Sequence, residues 1–182
     1  REVQEEAAGA GAKAGGRAAV LALDVTLADA GERILATASE YFGGLDVIVP
    51  PAGAARWRAL ADVPDEDWRA QYELNVMAPL RAMRAAALAM AERGWGRIVN
   101  VCSTAGKRPS ASLPEYSVMK AGMLSYSRLV ADVYAKDGIR CNAVTPGPTA
   151  TEAWTGAGGL AEQQGDRDEV LAKVGGGRPL GR

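Results

Sequence analysis

The sequence of 182 residues contains no histidine. Histidine is the side chain that most often carries protons near neutral pH, so acid–base chemistry in this protein would need another group. Cysteine is also scarce. Both Cys102 and Cys141 lie in apolar, strand-like segments, which favours buried thiols over a disulfide or a metal ligand. No metal site is therefore predicted, and free thiols fit a reducing, cytoplasmic location.

The chain also lacks a strong excess of charge and any long apolar run. Its formal net charge is -1 with acids and bases interspersed, so neither nucleic acid nor an anionic membrane is predicted as a partner. No apolar run approaches a membrane span, and the N-terminal residues lack the apolar core of a signal peptide. With 48% hydrophobic residues, the sequence predicts one soluble globular domain over 1–182.

The sequence does contain a repeated order of apolar strands and helices. Four β-rich segments, at 18–25, 45–49, 96–103 and 139–147, alternate with helical patterns at 27–42, about 64–93 and about 114–136. Strands that are apolar throughout need cover on both faces, which predicts a doubly wound, Rossmann-like parallel α/β sheet. Such sheets bind ligands beyond the carboxyl ends of their strands, so the site residues should follow Val25, Val49, Ser103 and Val144.

Two glycine-rich segments allow more than one interpretation. The stretch GAGAKAGG (9–16) lacks the preceding strand and following helix that a phosphate-binding turn requires, so a helix C-cap and turn is preferred. After Gly147 the composition becomes rich in glycine and polar residues, with at most one or two short helices. Segment 148–177 is then either a disordered tail or, as we predict, a mobile flap over a substrate site.

A tyrosine and a lysine stand four residues apart in EYSVMK, at Tyr116 and Lys120. On a helix this spacing places both side chains on one face, where the ammonium can favour the phenolate and lower the tyrosine pKa from about 10. An exposed helix pair would show the same spacing. Ser103, at the end of a predicted strand, could hydrogen-bond a substrate carbonyl that the tyrosine protonates, or it could simply be a strand-ending turn residue.

These residues carry a family resemblance. IVNVCSTAG, followed by YSVMK thirteen residues after the serine and then by GIRCNAVTPG, resembles the short-chain dehydrogenase/reductase family, in particular 3-oxoacyl carrier-protein reductases. The segments LDV at 23–25 and ELNVMAP at 73–79 resemble it too. The resemblance implies an NAD(P)-dependent oxidoreductase that interconverts a ketone and a secondary alcohol on a small-molecule substrate.

The resemblance also implies a role for particular residues. Tyr116 would be the general acid or base, Lys120 would lower its pKa and hold the nicotinamide ribose, and Ser103 would orient the substrate oxygen. Asn75 would hold a water in the proton relay. The cofactor-binding residues would be Asp24, Val25, Ala52, Gly53, Tyr116, Lys120, Pro146, Gly147 and Thr149, the first two at the adenine. Local alternatives exist, since Asn75 could bond a backbone carbonyl freed by Pro79, and either Asp24 or Thr26 could cap a helix.

The family further implies a homodimer or homotetramer that pairs the helices at about 64–93 and 114–136. These helices carry more apolar positions than one sheet-facing stripe requires. The positions concerned are Trp68, Tyr72, Met83, Met90, Met123, Leu124, Leu129 and Val133. The alternative is that these side chains simply pack on the sheet.

Two departures from the family pattern keep a second function open. The family's first strand, glycine-rich turn and helix are not found, nor are its final helix and strand, so the sheet is expected to be incomplete at both ends. Pro50 and Pro51 stand where the family has two asparagines, which removes donors at the edge of the cofactor cleft, although two prolines also end a strand. The alternative function is a non-catalytic scaffold that binds no dinucleotide.

The choice of cofactor depends on one further residue. Arg1 lies near the position that normally distinguishes the two dinucleotides, and its guanidinium could pair with a 2′-phosphate. An unpaired N-terminal arginine is equally ordinary. The sequence therefore favours NADP over NAD on this argument alone.

Overall fold

The structure is a computed structural model that describes residues 16–177. Within these residues, three parallel strands pair in the order β1 (Val47–Ile48), β2 (Gly96–Val101) and β3 (Ile139–Val144). Ile98 is the register partner of Ile48 on one side and of Cys141 on the other. The predicted parallel α/β class is confirmed. Arg1 and nearly all of the GAGAKAGG stretch lie outside the described residues.

The strand predicted at 18–25 is not formed in the part of the chain that the structure describes. This segment has no regular secondary structure, and the backbone N–H of Leu27 donates to the carbonyl of Asp24 at 3.3 Å to close a turn. A strand requires a ladder of hydrogen bonds with a neighbour, and an apolar β-rich sequence does not supply that neighbour. The other three predicted strands are confirmed, each ending one to three residues earlier than predicted.

Helix α1 (Ala30–Phe42) precedes the sheet, and helices α2 (Asp65–Tyr72) and α3 (Ala78–Arg93) connect β1 to β2. A π-helical turn over Glu73–Met77 joins α2 to α3, so the predicted long helix is continuous. Pro79 supplies no N–H to the ladder, and beside it the N–H of Ala78 donates to the carbonyl of Glu73, five residues back.

Helix α4 (Pro114–Tyr134) connects β2 to β3, as predicted. The short helices α5 (Glu152–Thr155) and α6 (Arg167–Gly176) follow β3, with a 3-10 turn at Glu162–Gln164 between them. Asp166 caps α6, because its Oδ1 accepts from the N–H groups of Asp168 and Glu169 at 3.1 and 3.0 Å. The mobility of segment 148–177 stays a prediction.

The hydrophobic core lies between one face of the sheet and helices α3 and α4. Ile98 of β2 is fully buried there, together with the thioethers of Met83, Met90 and Met123. Assigning these three methionines to an exposed interface was therefore wrong: they form the sheet-facing stripe itself. Both cysteines are buried free thiols, as predicted.

The opposite face of the sheet is largely open in the described residues. Because side chains alternate along a strand, Val47, Val49 and Val144 point away from the core, and they remain 49%, 49% and 45% exposed. The cover predicted for both faces is thus seen on one face within residues 16–177. None of the described helices has the length and apolar character needed to cross a membrane.

Candidate active site

A cavity of about 880 Å³ opens at the carboxyl ends of the three strands. Each strand contributes the residues that follow it: Pro51 and Gly53 after β1, Ser103 and Thr104 after β2, and Pro146, Gly147 and Thr149 after β3. Helix α4 adds Tyr116 and Lys120, and segment 148–177 closes the opposite side with Trp154, Leu160 and Val174. A parallel sheet is expected to bind its ligand at this edge.

Ser103 lies two residues after the end of β2, in extended conformation, and begins a 3-10 turn over Thr104–Gly106. Its Oγ accepts the N–H of Ala105 at 3.1 Å, and the N–H of Thr104 donates to the carbonyl of Pro146 at 2.9 Å. Ser103 is thus both a strand-ending turn residue and a half-buried hydroxyl on the cavity wall. The turn fixes where that hydroxyl lies, and the bond to Pro146 ties the loops after β2 and β3 together.

Tyr116 and Lys120 occupy the first two turns of α4 and face the cavity. Lys120 is 5% exposed, and its Nζ donates to the carbonyl of Val101 at 3.0 Å. The same Nζ lies 5.5 Å from the centre of the Tyr116 ring. The pair is therefore not an exposed helix pair but a buried cation beside a half-buried phenol.

Burial dominates the proton affinity of both groups. It raises the pKa of Tyr116 above its ordinary value of 10.0, against the opposing effect of the nearby Ser103 hydroxyl. It lowers the pKa of Lys120 below 10.5, because removing an ammonium from water disfavours its charge. The lowered tyrosine pKa expected from the sequence is thus reversed in direction, since desolvation of the phenolate outweighs the hydrogen bond from Ser103.

Asn75 lies in the π-helical turn and is completely buried. Its Nδ2 donates to the Ala54 carbonyl at 3.0 Å and to Oε1 of Gln71 at 2.6 Å. The alternative in which Asn75 bonds a carbonyl freed by Pro79 is therefore wrong, because the amide reaches another segment instead. Its Oδ1 has no hydrogen-bond partner among the described residues.

Gly53 lies where the Asn75 amide and the Lys120 ammonium approach each other. A β-carbon built on Gly53 would be 2.6 Å from Asn75 Oδ1 and 3.5 Å from Lys120 Nζ. Only glycine leaves this space open without moving a neighbour. Gln71 is the residue of this arrangement that sequence reasoning missed, and its one signal was a polar side chain four positions before Asn75 on the same helix.

Three predicted cofactor residues do not line the cavity: Asp24, Val25 and Ala52. Asp24 is exposed, and its Oδ1 accepts from the Thr26 hydroxyl at 2.7 Å and from the Thr26 N–H at 2.9 Å. These bonds lower the pKa of Asp24, and the bond from the hydroxyl has the larger effect. Helix α1 begins at Ala30 after Asp29, so the capping alternative for Asp24 or Thr26 is wrong.

Pro50 and Pro51 follow β1, which ends at Ile48. Residues 49–59 form no helix or strand, consistent with two prolines ending the strand. Pro51 itself borders the cavity, and the loop stays in contact with the site through the Ala54 carbonyl that binds Asn75.

Comparison with known proteins identifies the family. The sequence model described as short chain dehydrogenase matches residues 1–158. The chain belongs to this family. This short-chain dehydrogenase is 35% identical over 170 residues to short-chain reductase protein NovJ of Streptomyces niveus, covering 93% of this chain and 63% of that protein.

Other short-chain dehydrogenases give the same result. Identity to 3-oxoacyl-[acyl-carrier-protein] reductase of Synechocystis is 33% over 138 residues, covering 76% of this chain and 56% of that one. The crystal structure of L-sorbose reductase from Gluconobacter frateurii with NADPH and L-sorbose superimposes with a TM-score of 0.88 at 30% identity, covering 100% of this chain and 71% of that one. The chain thus spans roughly 56–63% of the length of these curated relatives.

Proposed function

We propose that this oxidoreductase interconverts a ketone and a secondary alcohol with NAD(P), using Tyr116 as general acid or base. The supporting observation is that Ser103, Tyr116 and Lys120 line one wall of the cavity at the strand ends. The substrate is a small molecule that carries the carbonyl or hydroxyl group. The L-sorbose reductase neighbour, crystallised with a ketose, is consistent with such a substrate.

The cavity fits the nicotinamide end of the cofactor. Gly53 and Gly147 line it without side chains, and a β-carbon on Gly147 would meet no atom within 4 Å. The residues proposed to hold this end are Gly53, Pro146, Gly147, Thr149, Tyr116 and Lys120, with Asp24, Val25 and Ala52 serving the adenosine half. When bound, NAD(P) supplies or accepts the hydride.

The remaining chemistry comes from side chains of the chain. The Tyr116 phenol, whose pKa burial raises further above 10.0, carries its proton at neutral pH, which suits donation to a carbonyl oxygen. The Ser103 hydroxyl would orient that oxygen, and the Lys120 ammonium would stabilise the phenolate left behind. The free Oδ1 of Asn75 would hold a water between itself and Lys120.

NADP is proposed over NAD, as the sequence argument favours. The L-sorbose reductase structure contains NADPH, which is consistent with this choice. We also propose that the described chain is one domain whose segment 148–177 acts as a flap, since Trp154 and Leu160 of this segment border the cavity.

A homodimer or homotetramer remains the proposed assembly. With the methionines assigned to the core, the apolar surface left on the two long helices includes Tyr72, Leu129 and Val133, which are 45%, 57% and 55% exposed. Such a surface is usually covered by a symmetric partner. A monomeric mass for the full-length protein by light scattering at micromolar concentration would contradict this assembly.

The decisive experiment compares two tyrosines of α4. In the full-length protein, Tyr116→Phe should lower kcat for ketone reduction by about 10²–10⁴-fold while NADPH binding stays within twofold. Tyr126→Phe is the matched control, because Tyr126 is also partly buried on α4 but does not line the cavity, and it should retain turnover. Retained turnover by Tyr116→Phe would reject the mechanism, and absence of saturable NADPH or NADH binding would support the scaffold alternative.

A further inference from the structure

The Asn75 amide can be placed in two orientations that exchange its oxygen and nitrogen. In the observed orientation, both hydrogens of Nδ2 are used, one by the Ala54 carbonyl and one by Gln71 Oε1. A backbone carbonyl only accepts hydrogen bonds, so it requires Nδ2 on its side. The flipped amide would place Oδ1 against the Ala54 carbonyl, two acceptors facing each other in a buried site.

Gln71 must then also present an acceptor. Its own amide could donate instead, but Nε2 would meet Nδ2, donor against donor. The bond of 2.6 Å therefore defines the orientation of both side chains. Gln71 is 7% exposed on helix α2, four residues before Asn75, whereas Ala54 is an exposed residue of a loop without regular structure. The acceptor that is fixed by a packed helix is the one on Gln71.

The result of this arrangement is a free acceptor inside the site. Oδ1 of Asn75 is completely buried and has no partner in residues 16–177. Both this oxygen and Lys120 Nζ border the space that a β-carbon on Gly53 would occupy. An oxygen in this place can receive a hydrogen bond from the ammonium or from a water that the ammonium binds. An NH₂ group there would repel the ammonium and could accept no hydrogen from that water.

We propose that Gln71 is a positioning residue that holds the Asn75 amide with its oxygen toward Lys120. The contribution of Gln71 to catalysis rests on the proposed function, whereas its orienting of the Asn75 amide does not. Without the Gln71 acceptor, one hydrogen of Nδ2 loses its partner and the amide is held by the loop carbonyl alone. The oxygen then no longer faces Lys120 in every molecule.

The test compares Gln71→Met, which keeps the size and removes the acceptor, with Gln71→Glu, which keeps an acceptor. The readout that is independent of catalysis is hydrogen exchange of the Asn75 side-chain amide, followed by ¹H–¹⁵N NMR of the chain. Exchange should become about fivefold faster in Gln71→Met, because one net hydrogen bond is worth about 1 kcal/mol, and Gln71→Glu should stay within about twofold of the parent. Gln71→Asn, one methylene too short to reach, replaces Gln71→Met if that variant does not fold.

The second readout is kinetic and uses the full-length protein. Gln71→Met should lower kcat about tenfold with KM nearly unchanged, and Gln71→Glu should restore most of it. Unchanged amide exchange in Gln71→Met overturns the positioning of Asn75. Faster exchange with unchanged kcat overturns the catalytic part, provided that Tyr116→Phe is inactive. If Tyr116→Phe is active, the proposed function fails, and the exchange result still decides whether Gln71 orients the amide.

Discussion

The two sides of the cavity are built differently. Its floor consists of residues 101–105, Tyr116 and Lys120 of α4, and Asn75 behind them. It is held by hydrogen bonds between residues far apart in sequence, as from Lys120 to Val101 and from Asn75 to Ala54. Its roof, segment 149–174, is bonded mostly within itself, as by the Asp166 cap of α6.

Apart from bonds to residues next to it in sequence, one hydrogen bond links the roof to the rest of the described chain, from the Trp57 N–H to Gln163 Oε1 at 2.9 Å. Proton transfer needs groups held in fixed positions, whereas substrate entry needs a cover that can move. The difference is consistent with the proposed roles, in which the floor carries the chemistry and the roof controls access.

The largest difference in stability is expected between substitutions at two glycines, one packed against the floor and one beside the roof. Gly53→Ala places a β-carbon 2.6 Å from the buried Asn75 Oδ1, so we expect a loss of about 2–3 kcal/mol in unfolding free energy. Gly147→Ala meets no atom within 4 Å and should change it by less than about 0.5 kcal/mol. Denaturant unfolding of the two variants measures this, and equal stabilities would show that the floor is as deformable as the roof.

Stability at high pH offers a second measurement, of how well water is excluded from the core beneath the floor. Burial raises the pKa of Cys141 from 9.0 to about 11. The unfolded thiol ionises from pH 9, while the folded one keeps its proton until about pH 11, so the unfolding free energy should fall across this window. The expected loss is at most about 2 kcal/mol.

Cys141→Val is the matched variant, because it removes the titrating group from the same core position of β3. Its unfolding free energy should fall less between pH 9 and 11 than that of the parent. The lowered pKa of Lys120 acts in the opposite direction in both proteins, since stability rises with pH between the lowered pKa of the folded lysine and the ordinary pKa of the unfolded one, and it cancels in the comparison. Parallel curves for the two proteins would mean that water reaches the thiol.

The smallest effect is expected at the roof. Gln163→Leu removes the acceptor for the Trp57 N–H. The free energy of local opening of the roof should fall by about 1 kcal/mol, and its cleavage by a protease should become about fivefold faster. Gln163→Glu keeps the acceptor but, like Gln163→Leu, loses the Nε2 donation to the Gly158 carbonyl, so the two variants differ in the Trp57 bond and Gln163→Glu should be cleaved more slowly than Gln163→Leu. The global melting temperature should change little in either variant. Equal cleavage of the two variants would mean that this bond does not hold the roof.

Sequence reasoning succeeded where a pattern is local and strong. The apolar runs of β2 and β3 and the long pattern of α4 predicted those elements and, through them, the edge of the sheet where Ser103 and Tyr116 lie. It failed at 18–25, because a strand also depends on a neighbour that local propensity does not reveal.

Other errors concern the environment of a side chain. The methionines of α3 and α4 looked like surplus apolar surface until the packing showed them in the core. The direction of the Tyr116 pKa depends on burial in the cavity, which spacing from Lys120 does not report. Gln71 was missed because its partner is defined by a turn of irregular helix and a distant loop carbonyl.

The π-helical turn at Glu73–Met77 can be understood as a change of phase. One extra residue in a helical turn rotates everything after it by about 100° relative to everything before it. Side chains before and after the turn therefore point in different directions. Gln71 before the turn bonds to Asn75, and Met83 and Met90 after it pack in the core. Deleting one residue here would restore a regular helix, but that helix could keep only the Gln71 contact or the methionine packing, not both. A straight helix of the same composition would be no substitute.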